Sequence, residues 1–296
     1  MRKLILAWTL LLAGCASHAG DFRQHSTGGW NAESVRTAKV SWLYAQLSNN
    51  AYEWHVGEEG PDRESNPPSD PPFLYVLPQG VAKIDHGSQP YYGLQYVVYE
   101  RTSPEGTKEL ILAFRGTQFS HLNDWWQGNV LGSQNFVGIG LYDVWRERRP
   151  DQAITVTGHS LGGGISTHIS LNRPAVRSIV FNTSPRFWRD TARTSESVEE
   201  QQARRRSVVE FGEVLKVLRM PGSEATQLYT SLGCTTGHDA IEQHSISRLA
   251  TCLTFIAAYD DPIARQSICD NGLLAYWPAL WARPENLTCG DPRPAP

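Results

Sequence analysis

Residues 153–182 constrain the fold more than any other stretch of the chain. Ala153 to Thr157 is a short β-branched run, the Gly-rich corner Gly158-His159-Ser160-Leu161-Gly162 follows at once, a helical stretch runs from about Leu161 to Leu171, and Ser178 to Asn182 is again β-rich. Strand, tight corner, helix and strand make a unit whose two strands lie parallel, because a helix carries the chain back to the edge from which it started. Two earlier β-rich runs, Gly93–Thr102 and Glu109–Arg115, are joined by Ser103-Pro104-Glu105-Gly106, with Pro and Gly where a hairpin turn wants them. Strands interleaved with helices predict an α/β fold: a mostly parallel central sheet with helices on both faces.

The corner also carries chemistry. Gly-x-Ser-x-Gly between a strand and a helix is the pattern of a nucleophile elbow. A serine there sits on a sharp strained turn, and a side chain two positions to either side would collide with the neighbouring strand or helix. Placed at a helix N-terminus, Ser160 also has free N–H groups and the positive end of the helix dipole beside it. The letters alone are weak, since glycine and serine are common enough for the pattern to arise by chance in about one chain in ten of this length. Its position between a predicted strand and a predicted helix is what gives it weight.

The amino terminus reads as an export signal. Arg2 and Lys3 precede an apolar run from Leu4 to Ala13, too short to span a bilayer, that ends in Leu12-Ala13-Gly14-Cys15. This ending resembles the lipobox of bacterial lipoproteins, which implies cleavage before Cys15 and acylation of that residue. Ala16, which is not an Asp, follows the Cys; by the same resemblance the expected location is the cell envelope, on the outer membrane of a Gram-negative bacterium. The division that follows is signal peptide 1–14, lipid-anchored tether 15–31, a single domain 32–290 and a Pro-rich tail 291–296. Beyond Cys15 lie Cys234, Cys252, Cys269 and Cys289, an even number in an exported chain, which predicts two disulfides with three connectivities open. No Cys-x-x-Cys pair exists to point to zinc.

Within the domain, a helix is predicted from Ser34 as N-cap, with Val35, Ala38, Trp42, Ala45 and Leu47 at helical spacing and Tyr52 just beyond. Gly57 to Pro72 holds five prolines and reads as a surface loop. Glu196 to Arg206, with three successive arginines, reads as a solvated helix face. The charge balance of 27 Lys plus Arg against 30 Asp plus Glu offers no electrostatic attraction to nucleic acid.

Longer strings add a resemblance. Val156-Thr157-Gly158-His159-Ser160-Leu161-Gly162-Gly163 resembles the elbow of class 3, fungal-type lipases. Leu112-Ala113-Phe114-Arg115-Gly116-Thr117 resembles that family's oxyanion signature, Asn123-Asp124-Trp125 the segment after it, and Phe181-Asn182-Thr183-Ser184-Pro185-Arg186 its Gly-Ser-Pro-Arg strand end. The pieces occur in the family's order, covering about Val35 to Leu249. The resemblance implies an α/β-hydrolase fold and a serine carboxylic-ester hydrolase, a lipase or phospholipase, that needs no cofactor and acts on lipid esters at a membrane. The backbone N–H groups of Thr117 and Leu161 would hold the oxyanion.

A triad in the order Ser, acid, His places both partners after residue 160. His244, in Gln243-His244-Ser245-Ile246 just before a helical run from Arg248 to Ala258, is the expected base, with His238 as the alternative. The family's Asp-Pro is missing between Asp190 and His244. Aligning Ser207-Val208-Val209-Glu210-Phe211-Gly212-Glu213-Val214-Leu215 as strand then acid puts Glu213 at that place, with Glu210 and Asp239 as alternatives. Trp125 and Trp126, near Phe119 and Leu122, fit either a lid or ordinary burial. The stretch from Gly140 to Asp151 looks shorter than the helix the family carries before its elbow. Two other readings share these features: a binding lipoprotein that has lost catalysis, and an acyltransferase or thioesterase. Oligomeric state is not encoded in these patterns.

Overall fold

A computed structural model of the chain describes residues 30–55, 74–89, 93–116, 129–184, 196–213, 215, 228–234, 242–278, 281, 283–284 and 287–290. Seven strands form one sheet in sequence order: β1 (Val81–Gln89), β2 (Leu94–Thr102), β3 (Lys108–Phe114), β4 (Ala153–His159), β5 (Arg177–Phe181), β6 (Arg205–Glu210) and β7 (Leu228–Leu232). β1, β2 and β3 pair antiparallel, and β3 to β7 are all parallel. The Pro-Gly turn joins β2 to β3 as the sequence predicts. β1 escapes the sequence reading because it is an edge strand, polar and largely exposed, with a bulge between Lys83 and Asp85.

Alternation along β3 builds two cores at once. Leu110, Leu112 and Phe114 point to one face and Ile111 and Ala113 to the other, all fully buried. The first face is covered by α2 (Asn129–Arg148) and α3 (Leu161–Asn172) through Tyr142, Trp145, Ile165 and Ile169. The second is covered by α1 (Ala32–Asn50), and by α5 (Ile246–Ala257) and α6 (Pro262–Asp270), which come after the short α4 (Val198–Arg204). Each large apolar side chain so buried contributes about 1.5–3 kcal/mol. The result is the α/β sheet with helices on both faces.

Three expectations need correction. The N-cap of α1 is Asn31, whose side chain accepts from the Ser34 N–H at 2.8 Å, so that Ser34 lies buried inside the first turn. The stretch before β4 is not short, since α2 runs for 20 residues. Gly138 and Gly140 obscure its helical pattern, and Gly138 is there for contact: a Cβ would come within 2.5 Å of Ile165 Cγ2 on α3. Only part of Glu196–Arg206 is a solvated helix. A capping box between Ser197 and Glu200 starts α4, but Arg205 and Arg206 already belong to β6. Arg205 is fully buried and donates to the Ser170 carbonyl and to Gln201 Oε1, bonds that offset the burial of its charge.

The four cysteines pair as Cys234–Cys252, tying the end of β7 to α5, and Cys269–Cys289, tying α6 to the chain end. Cys15, the predicted signal, residues 15–29 of the predicted tether, the 57–72 loop, Phe119, Leu122, Trp125, Trp126 and the tail from 291 lie outside the described residues, whereas Asn31, the last tether residue, already caps α1. Among the described residues no helix is long and apolar enough to cross a membrane.

Candidate active site

Ser160 ends β4 and begins α3, and its backbone sits at φ 54°, ψ −121°. This is a left-handed conformation that costs a non-glycine residue of order 1–3 kcal/mol unless its surroundings hold it there. Three hydrogen bonds do so: the Ser160 N–H donates to the Phe181 carbonyl at 3.0 Å, and its own carbonyl accepts from Gly164 at 3.1 Å and from Ser184 at 2.9 Å. The flanking glycines are required by contact, as the sequence pattern implies. A Cβ on Gly158 would lie 2.5 Å from the Gly162 backbone, and one on Gly162 would run into the Phe114 carbonyl.

The end of β3 meets this turn. A Cβ on Gly116 would stand 2.6 Å from the His159 carbonyl oxygen and 3.1 Å from Ser160 Cβ, so Gly116 itself lies beside the serine. The next residue, Thr117, is outside the described set. Leu161 is the first residue of α3, where backbone N–H groups have no intrahelical acceptor.

On the other side, β6 ends at Glu210, the chain turns through Phe211 and Gly212, and Glu213 follows. Gly212 has φ +88°, a left-handed conformation that favours glycine, and it lies against the Gln243 side chain of the loop carrying His244. His244 closes a short 3-10 turn, Glu242–His244, just before Ser245 caps α5. Its Nδ1 is 2.7 Å from Glu213 Oε2, which also accepts the Leu215 N–H at 2.9 Å. Both side chains are almost wholly buried, His244 at 1 % and Glu213 at 2 % exposure. A carboxylate can only accept, so Nδ1 carries the hydrogen and Nε2 keeps its lone pair. His244 also stands next to the elbow, with its ring centroid 4.6 Å from that of His159.

Glu210 has a different task. Its Oε1 accepts the Cys234 N–H at 2.8 Å, and its own N–H donates to Asn182 Oδ1 at 2.8 Å. His168 is packed in α3 against Phe136. His238 and Asp239 are outside the described residues. Asp261, of the late Asp-Asp-Pro, caps α6 and accepts from Trp42 Nε1. No group of acidic, His and Cys residues able to hold a metal occurs among the described residues.

A serine on a strained strand-to-helix turn, a buried carboxylate–imidazole pair beside it, and a strand end aimed at the serine are the parts of an acyl-transfer site. The pattern of the phospholipase-like family described as a Tle-like phospholipase domain matches residues 44–253, well over half of the chain. The chain belongs to that family.

The Tle-like phospholipase domain begins within α1 and ends within α5, so it contains Ser160, Glu213 and His244. Membership makes the protein a lipase-like hydrolase of lipid esters. Solved structures similar to it include the Lip2 lipase from Yarrowia lipolytica, at 17% identity over 67% of this chain and 79% of that one with a TM-score of 0.42. They also include the Rhizomucor miehei lipase in its propeptide complex, at 14% over 77% and 85% with 0.41, and a mutant form of MDLA from Penicillium cyclopium, at 13% over 71% and 83% with 0.44. Values this low carry no argument about substrate or residue roles. No curated protein matches the chain.

Sequence reasoning missed three residues that shape the Tle-like site. Asn182, in the left-handed region at φ 41°, holds the Glu210 N–H with its carbonyl oxygen and, with its amide nitrogen, the carbonyls of Gln243 and His244, each at 3.3 Å. An Asn just after a strand is a weak signal that such a role exists. Tyr52 and His159 are the others, linked at 2.9 Å across 107 positions of sequence. No local pattern carries a contact of that span.

Proposed function

We propose that the protein is a serine carboxylic-ester hydrolase that cleaves membrane phospholipid through an acyl-enzyme. His244 Nε2 takes the proton of Ser160, the serine oxygen attacks the ester carbonyl, and the N–H groups of Leu161 and Thr117 receive the negative charge that develops on the carbonyl oxygen. The leaving alcohol then takes the proton from His244. Water, deprotonated by the same imidazole, attacks the acyl carbonyl, and the serine oxygen leaves with the proton returned by His244, which releases the fatty acid. Glu213 fixes the His244 tautomer and stabilises the imidazolium without taking its proton. One observation carries this reading: the buried 2.7 Å contact of Glu213 with His244, on a loop packed against the residue before Ser160.

The choice of phospholipid rests on the family's description, and the site of action on the amino terminus, where acylation of Cys15 would hold the enzyme at the outer membrane by more than one acyl chain. Purified full-length protein should release fatty acid from phosphatidylglycerol and phosphatidylethanolamine vesicles and react at Ser160 with a fluorophosphonate probe. Ser160→Ala should do neither. Wild-type protein that binds vesicles yet neither releases fatty acid nor takes the probe would establish a binding lipoprotein in place of an enzyme. Acyl product that appears on an added alcohol and not as free acid would establish a transferase. For the anchor, Cys15→Ser should move from the detergent phase to the aqueous phase.

A further inference from the structure

A line of hydrogen bonds connects the oxyanion strand to the histidine loop, and the hydrolytic steps above make no use of it. The Gly116 backbone comes up against the Tyr52 hydroxyl oxygen, which a Cβ on Gly116 would meet at 2.5 Å, the Tyr52 hydroxyl lies 2.9 Å from His159 Nδ1, and His159 Nε2 lies 2.8 Å from the carbonyl oxygen of His244. With a neutral imidazole, one assignment of protons satisfies all three contacts. The His244 carbonyl only accepts, so His159 Nε2 carries the hydrogen. Nδ1 is then the acceptor, and the Tyr52 O–H donates to it. The Tyr52 oxygen is thereby left to accept from Gly116. Burial raises the Tyr52 pKa above its ordinary value of 10, which keeps this hydroxyl a donor at any working pH.

The line has mechanical consequences. The His244 carbonyl is gripped from two strand ends, by His159 at the end of β4 and by Asn182 after β5, while the ring of the same residue is held by Glu213. Peptide and ring are both fixed, which leaves His244 little freedom to tilt away from the serine. At the other end, Tyr52 follows directly from α1, so a rigid helix backs the hydroxyl that receives Gly116.

We propose that Tyr52 and His159 are positioning residues that set the separation between the end of the oxyanion strand at Gly116 and His244, with His159, the residue before the elbow serine, serving as the strut between them. The inference rests on the triad reading above. Misplacing a reacting group by about 1 Å can cost on the order of 10²-fold in rate, and a strut acting only on geometry should be felt in kcat more than in KM.

The test uses full-length protein and p-nitrophenyl butyrate, with the thermal midpoint of each variant measured alongside. Tyr52→Phe removes one oxygen atom and should lower kcat about tenfold with KM within about twofold. His159→Leu should lower kcat on the order of 10²-fold. His159→Gln, whose amide can donate to the His244 carbonyl and accept from Tyr52, should recover to within about tenfold of wild type. Combining Tyr52→Phe with His159→Leu should cost about as much as His159→Leu alone, because both break the same line. The proposal is overturned if Tyr52→Phe and His159→Leu keep kcat within about twofold, if Gln rescues no better than Leu, or if activity falls only as the thermal midpoint falls. A Ser160→Ala variant as active as wild type would instead sink the triad reading, whereas an inactive Ser160→Ala beside an unimpaired Tyr52→Phe sinks the strut alone.

Discussion

The two edges of the parallel sheet carry polar networks of opposite design. At the amino-terminal edge Glu109 accepts from the Tyr44 hydroxyl at 2.9 Å and from Thr155 at 2.5 Å, with Arg101 3.7 Å away, while the Arg177 guanidinium covers the Tyr44 ring and Arg206 donates to Thr37. Glu109 and Arg101 face one another there as permanent charges, partly in solvent, while Arg177 and Arg206 rest on a ring and a hydroxyl. At the carboxyl-terminal edge Glu213 meets the His244 imidazole at 2.7 Å, away from water. In the proposed mechanism its partner charge exists only while His244 holds the serine proton. On that reading the first arrangement stabilises the ground state and the second the transition state, which is the difference between a structural ion pair and a catalytic one.

Breaking the catalytic edge should give the largest effect. Glu213→Gln keeps the shape but lets the wrong His244 tautomer form, and kcat for a lipid ester should fall by about 10³–10⁴-fold with circular dichroism unchanged. Glu210→Gln, three residues earlier, then sharpens the contrast, because that carboxylate accepts the Cys234 N–H. It should lower unfolding stability by about 1–2 kcal/mol, read by urea titration, and leave kcat within about threefold.

Alkali tests both edges together. Burial raises the pKa of Tyr44 to about 12, and those of Tyr52, Tyr75 and Tyr99 also lie above the ordinary value of 10. The unfolded chain releases these protons near pH 10 while the folded chain keeps them, so the unfolded state binds fewer protons and stability falls as pH rises. Each such tyrosine should remove about 1.4 kcal/mol per pH unit between about 10 and its folded value, visible as a steep drop in thermal midpoint between pH 9.5 and 11 but not between 8 and 9. The smallest effect belongs to the amino-terminal edge: Glu109→Gln should cost about 1 kcal/mol and leave kcat unchanged, since that edge is a sheet's length from Ser160.

What the sequence disclosed followed from how local each cause is. The elbow was legible because strand, glycine contacts and helix start all fall within twelve positions, and β3 was legible from its run of apolar residues. Glu213 was found by counting along β6, yet its choice over Glu210 depended on Gly212 turning the chain, which is a matter of φ and not of residue type. α2 was hidden by Gly138 and Gly140, of which Gly138 is there for contact with α3. The burial of Arg205 could not be read from a run of three arginines, because it depends on the carbonyl of Ser170 some 35 positions away. The disulfide pairing, Asn182 as a hub, and the meeting of Tyr52 with His159 are all long-range, and nothing in the local pattern records them.

The 19-residue α1 bears on how the domain can be produced on its own. It is a rod about 28 Å long that runs from the arginine-rich edge, where Thr37 receives Arg206, to the active-site edge, where Asn50 holds the backbone of Tyr75 and Tyr52 follows. Along its length Trp42 reaches the cap of α6, Gln46 reaches Thr254 and Ser267, and Ser48 meets Thr157 of the elbow strand. The family match begins at residue 44, in the middle of this rod. A gene trimmed to that boundary would discard the Asn31 cap, Ala38, Trp42 and nearly two-thirds of the helix that supports the site from behind. The cloning boundary for a folded, active fragment therefore lies at or before Asn31.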